Sequence, residues 1–168
     1  KEGDTERKNA SIIYDKCSWS HYYPNDNYAF MHKCPTNASS TILMRLGEIY
    51  LLHAEALAME GNFSETDGAT FYVNKIRERA GLNPVSKPSS QDEMIDIILK
   101  ERRLELAFEG FRFFDLVRHD RVKSVHDAMP SKDSYWQKRY PLSDETILMP
   151  IPTAEMDNNP SLVQNPGY

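Results

Sequence analysis

The sequence predicts a mainly α-helical fold interrupted by long irregular loops. Apolar residues between positions 42 and 109 recur at three- and four-residue intervals, the spacing of a helix face. Start and stop residues bracket these runs, with serine or threonine before them and Gly61, Gly81 and Gly110 after them. Outside this stretch the chain is rich in prolines and aromatic residues, six of the prolines falling between 127 and 168.

Residues 1–40 read as an irregular, aromatic-rich segment that continues from residues upstream, and 41–168 as the helical region. Within the first, "SIIYD" (11–15) has the composition of a short strand, and "CSWSHYYPNDNYAFMHKC" (17–34) is loop-like and broken by "PND". Ser40 or Thr41 can cap a first helix, "ILMRLGEIYLLHAEALAMEG", closed by Gly61. Leu43, Leu46, Tyr50, Ala54 and Leu57 form one apolar stripe and Ile49, Leu52 and Ala56 a second, so both sides are expected to be covered. A second helix is expected from Ser64 or Thr66 to Gly81, with Phe63, Val73, Ile76 and Ala80 against the first. The pair has the form of one tetratricopeptide-like helical hairpin without a second copy. One hairpin buries too little surface to stand alone, so neighbours are expected, and they can lie upstream of residue 1.

After "NPVSKPSS" (83–90), Ser90 and Glu93 make a capping box for a third helix that runs to about Glu109. Gly110 allows a bend before a short helix at 111–119. The remainder reads as loop and turn, with "TILMPIP" an extended rail.

A net charge of −5 and the lack of a Lys/Arg run speak against binding nucleic acid or an anionic membrane surface. No apolar run is long enough to span a bilayer, and "KEGDTERK" is the reverse of a signal peptide. Cys17, His21, His32 and Cys34 are spaced C-x3-H-x10-H-x-C. The tight H-x-C half counts against zinc, and no metal or other cofactor is expected. A disulfide between Cys17 and Cys34 would stabilise an exported protein by about 3 kcal/mol. Two free, partly buried thiols are the other reading.

Residues 92–109 carry the unusual feature. On a helical wheel Asp92, Glu93, Asp96, Lys100 and Arg103 gather on a solvated side, and Met94, Ile97, Ile98, Leu104 and Phe108 on the other. Glu101, Glu105 and Glu109 fall inside that apolar arc, with Arg102 at its edge. An unpaired buried charge costs several kcal/mol, so these carboxylates need cations or backbone donors. Arg102, Arg112 and Arg118 are near in sequence, and Arg45 and Arg77 can arrive from the hairpin. Glu48 and Glu55 pose the same question on the first helix. The catalytic reading is a glycosidase-like acid and base, which needs an open cleft and two carboxyls whose pKa values are pushed apart. With several arginines available, a structural ion-pair lattice is the expectation. No G-x-S-x-G, H-E-x-x-H, P-loop or G-x-G-x-x-G pattern is present.

"ILMRLGEIYLLHAEAL", "VNKIRERAG", "ERRLELAFEGFRFFDLVRHD" and "MPIPTAEMDNNPSLVQNPGY" resemble, in that order, the C-terminal region of the RagB/SusD family. The most specific parts are E-R-R-x-E-L-x-x-E-G-x-R-x-x-D-L-x-R (101–118) and Q-N-P-G-Y (164–168), and His119-Asp120 is a small departure from the pattern. The resemblance implies a surface-exposed, lipid-anchored lipoprotein of a gram-negative outer membrane. It implies tetratricopeptide-type helices docked on a TonB-dependent transporter of the SusC type, and non-catalytic holding of oligosaccharide, polysaccharide or, in some branches, peptide. Relatives are much longer, so the chain is expected to be the C-terminal third or so, with the lipid-bearing cysteine upstream rather than at Cys17 or Cys34. Ligand contacts in the family come from variable loops, so no binding residue is carried over by motif.

Sugars are gripped by aromatic faces flanked by a few polar groups. Trp19, His21, Tyr22, Tyr23 and Tyr28 in one loop, and Tyr135, Trp136 and Tyr140 in another, have that chemistry. The competing reading is that these rings plug a seam against upstream helices or the transporter. The rival function is a tetratricopeptide-like adaptor that recognises a protein segment and binds no sugar.

Overall fold

A computed structural model describes residues 3–16, 28–33, 43–128, 143 and 145–168. The chain forms two compact units, Lys1–Arg112 and Phe113–Tyr168.

The first unit begins with α1 (Thr5–Ser11), capped by the Asp4 carboxylate accepting from Arg7 N–H at 3.2 Å. It passes into β1 (Ile12–Asp15), which pairs antiparallel with β2 (Tyr28–Met31), Ile12 opposite Met31 and Asp15 opposite Tyr28. The strand expected at 11–15 thus forms, with Ser11 closing α1 instead of opening the strand.

Three helices make the core. α2 spans Leu46–Met59, α3 Ala69–Arg79 and α4 Gln91–Glu105. Leu51, Ala54 and Ala58 of α2, Val73 and Ile76 of α3, and Met94, Ile98 and Leu99 of α4 are buried together. Each large aliphatic side chain so placed contributes about 1.5–3 kcal/mol relative to exposure. The α2 side of this core is made by Leu51 with the small side chains of Ala54 and Ala58.

That face meets the first expected stripe at Ala54, with Tyr50 and Leu57 partly buried against the core, and departs from the second. Gly47, Glu48, Leu51, Ala54, Glu55 and Ala58 are buried, whereas Leu46, Ile49, Leu52 and Ala56 are exposed. The helix also starts at Leu46 rather than at residue 42, because Arg45 is extended (φ −150°, ψ 160°) and takes the N-cap position without a capping side chain. Gly61, at φ +79°, closes the helix as expected.

The second helix starts later than Ser64 or Thr66. Residues 62–68 fold into a turn in which Ser64 N–H donates to Asn62 Oδ1 (3.1 Å), Ser64 Oγ accepts from Thr66 N–H (3.2 Å), and Ala69 N–H donates to the Asn62 carbonyl (3.0 Å). Gly68 closes it. A Cβ there would sit 2.3 Å from Ser64 N and 2.9 Å from Asn62 O, so the backbone approach itself excludes a side chain.

At α4 the Ser90 hydroxyl accepts from Glu93 N–H at 3.2 Å, one half of the capping box. Glu93 reaches one residue further back than a box requires, accepting from both N–H and Oγ of Ser89 at 2.9 Å. The helix ends at Glu105, not near Glu109, and Phe108 (φ +67°) and Gly110 (φ +85°) turn the chain. Asp92, Glu93, Asp96, Lys100 and Arg103 are all exposed, as the wheel places them. Ile95 and Leu99 are buried beside Met94 and Ile98, while Phe108 is half exposed.

The second unit holds most of α5 (Arg112–Arg118), then α6 (Val122–Asp127), a 3-10 turn at Glu145–Ile147, and α7 (Thr153–Asn158). The last is a helix where loop was expected, started by Pro152 at its N-cap. The extended "MPIP" run is held by side chains that imitate a neighbouring strand. Gln164 accepts from Ile151 N–H at 2.7 Å and donates to the Ile151 carbonyl at 2.9 Å, and Asn165 donates to the Met149 carbonyl at 2.6 Å.

Candidate functional site

The three carboxylates of the "ERRLELAFE" stretch lie four residues apart, so one helical face and the turn after it carry them all. Their side chains are each 2% exposed. Such groups must be neutralised where they lie, and the cations come from distant parts of the first unit.

Glu101 accepts from Arg7 Nη1 at 2.6 Å and Arg77 Nη1 at 3.1 Å. Glu105 takes Arg45 Nη1 at 2.5 Å on Oε1, while Arg79 Nη2 bridges both of its oxygens at 2.5 Å and Arg7 Nη1 stands 3.4 Å from Oε2. Glu109 accepts from Arg45 Nε at 2.9 Å and Nη2 at 2.8 Å, and forms an ion pair with Lys33. Lys33 Nζ and Arg45 Nη2 also donate to the Glu105 backbone carbonyl, each at 2.7 Å. Two cations thus sit at the C-terminus of α4, where orphan carbonyls and the helix dipole favour positive charge.

Local backbone choices serve this arrangement. Extended Arg45 precedes α2, so its guanidinium lies along the first turn instead of projecting from it. Gly47 leaves the room: a Cβ there would be 2.6 Å from Arg45 Nη1 and 2.8 Å from Glu105 Oε1.

Burial opposes ionisation of Glu105, yet the hydrogen bonds and charges of Arg45 and Arg79 outweigh it and hold the carboxyl below the usual glutamate range. Glu109 is likewise lowered, burial being overcome by Arg45 and Lys33. Burial also works against the Arg45 charge, but Glu109 and Glu105 raise its pKa above that of free arginine. A general acid needs the opposite shift, a carboxyl held protonated near neutral pH.

Of the arginines adjacent in sequence, Arg112 donates to the Leu99 carbonyl at 3.2 Å and Arg118 to Asp115 at 2.8 Å, while Arg102 is buried on α4. The partners of the three glutamates are instead Arg7, Lys33, Arg45, Arg77 and Arg79. Arg7, Lys33 and Arg79 were not singled out by sequence. The first two lie 72 or more residues from the carboxylates they meet, and no local periodicity connects them. Glu48 and Glu55 are buried on α2.

Cys17, Trp19, His21, Tyr22, Tyr23, Cys34, Tyr135, Trp136 and Tyr140 lie outside the described residues, and Tyr28 is described as part of the β2 backbone. Among the described residues no group of three His, Cys, Asp or Glu is arranged to hold a metal ion.

Comparison with known proteins gives a consistent result. SusD-like protein P2 of Formosa agariphila is 34% identical over 141 residues, covering 79% of this chain and 26% of the relative. The starch-binding protein SusD of Bacteroides thetaiotaomicron is 33% identical over 135 residues, covering 75% of this chain and 21% of that protein. The chain therefore spans about a quarter of the length of these relatives. A crystal structure of a SusD superfamily protein from Bacteroides vulgatus matches the fold over the whole chain and 41% of its own length, with a TM-score of 0.73 and 23% identity. A sequence model of the SusD family matches residues 19–168, and the chain belongs to that family.

Proposed function

We propose that this chain is the C-terminal part of an outer-membrane nutrient-binding lipoprotein that holds oligosaccharide or polysaccharide without cleaving it and passes it to a SusC-like, TonB-dependent transporter. The observation that carries the reading is the similarity, over three quarters of the chain, to a protein named for starch binding. The site chemistry supports it. The inward carboxylates are held ionised by guanidinium groups, which suits a scaffold and not an acid catalyst. Membrane attachment is assigned to a lipid upstream of this chain, as the family resemblance implies.

In this reading Trp19, His21, Tyr22, Tyr23, Tyr28 and Trp136 are candidates for the sugar contact, as aromatic side chains able to stack on a pyranose face. Affinity electrophoresis of the full-length protein in gels containing soluble polysaccharides tests it. Retardation by at least one neutral glycan is expected, reduced in Trp19→Ala or Trp136→Ala with an unchanged melting curve. Retardation by none, together with capture of peptide segments, would favour a tetratricopeptide-like adaptor instead.

A further inference from the structure

Beside the carboxylate ladder is a cavity of about 160 Å³ whose wall, among the described residues, includes Arg7, Lys33, Arg45 and Arg79 with a single carboxylate, Glu105. Three of these guanidinium groups converge on that carboxylate. Arg45 and Lys33 have Glu109 besides, and Arg7 has Glu101 and Asp4. Arg79 makes its ion pair with Glu105, which it shares. Four cations around one shared carboxylate favour a further anion beside them. A second observation is independent of charge: Arg7 Nη2 is buried and has no hydrogen-bond partner among the described residues, although Nη1 and Nε of the same side chain are bonded. A buried guanidinium N–H left unmatched costs free energy, which a ligand oxygen would recover once the Arg7 side chain turns toward the cavity.

We propose that this cavity binds a small oxyanion of the carboxylate, sulfate or phosphate class, held by Arg7 and Arg79 with Lys33 at its wall. The site lies wholly in the first unit and does not depend on the glycan reading, since a protein that retains no polysaccharide can still carry it. The ligand's source is either a free inorganic ion or the acid group of a charged sugar.

Thermal melts of the full-length protein in sulfate, phosphate or glucuronate, against chloride at equal ionic strength, decide the matter. A ligand that binds only the folded state raises Tm progressively with its concentration. Sulfate and phosphate stabilise folded proteins by exclusion from their surface, so the expected result is a steeper rise with one of these anions in the parent than in Arg79→Gln. If the part of the response lost in Arg79→Gln is larger for glucuronate than for sulfate or phosphate, the ligand is the acid of a sugar, and the reverse assigns a free ion. Arg79→Gln, at a side chain 60% exposed, should fold and lose this anion dependence, with affinity by calorimetry about tenfold weaker. Lys75→Gln, on the exposed side of α3 and outside the cavity, should keep it. Responses equal to chloride, or an Arg79→Gln protein that responds like the parent, would overturn the proposal.

Discussion

Arg45 binds Glu105 and Glu109 at once, Nη1 at 2.5 Å from the first and Nη2 at 2.8 Å from the second, while Nη2 also donates to the Glu105 carbonyl at 2.7 Å. One residue at the start of α2 thereby ties down the end of α4, 60 positions later. Removing it would leave Glu105 to Arg79 and Arg7 and Glu109 to Lys33 alone, with both side chains still 2% exposed. Arg45→Met should therefore cost about 3 kcal/mol, read as a lower urea midpoint at pH 7.

The same pairs set the acid limit of stability. Glu105 and Glu109 have folded pKa values below the usual range, so their contribution is fully present above the unfolded glutamate value of about 4.3 and is lost as pH falls through the folded values. Urea midpoints taken from pH 7 down to pH 3 should fall for the parent protein, and the gap between it and Glu105→Gln should narrow toward the acid end.

How much of this was legible in sequence depends on range. Glu101 and Glu105 are four apart and share the arc of Met94 and Ile98, so their burial follows from the helical period alone, whereas Glu109 lies past the helix end and is brought in by the turn at Phe108. Arg45 and Arg77 were readable as candidates because the hairpin had to pack against α4. Arg7 and Lys33 were not, since they arrive from α1 and the end of β2 through contacts no local pattern encodes. Arg112 and Arg118 are near in sequence but turn elsewhere, because the helix ends at Glu105 and the chain reverses at Phe108 and Gly110. The start of α2 was misread for a related reason: the apolar run at 42–44 continues the pattern, yet extended Arg45 breaks the helix to reach its carboxylates.

Gly68 provides a backbone test. A Cβ at this position meets Ser64 N at 2.3 Å, an atom fixed in the 62–68 turn. Gly68→Ala should destabilise by about 2 kcal/mol, in the range for forced overpacking, whereas Gly61→Ala meets no neighbour and is strained only by its φ of +79°. Chemical denaturation of the two variants should rank them in that order.

In the second unit, Gln164 serves the Ile151 backbone as both donor and acceptor. Gln164→Glu keeps an acceptor for Ile151 N–H but removes the donor to its carbonyl, and Gln164→Ala removes both. Amide exchange at Ile151 should therefore be faster in the alanine variant than in the glutamate variant, and slowest in the parent.

The most direct measurement is a paired assay of the full-length protein carrying Glu105→Gln: unfolding free energy by urea, and polysaccharide retention at a temperature where the variant is folded. If the inward glutamates hold the scaffold, stability falls by more than about 2 kcal/mol and retention per folded molecule is unchanged. A variant as stable as the parent that no longer retains polysaccharide, or a parent that hydrolyses it while the variant does not, would contradict that role.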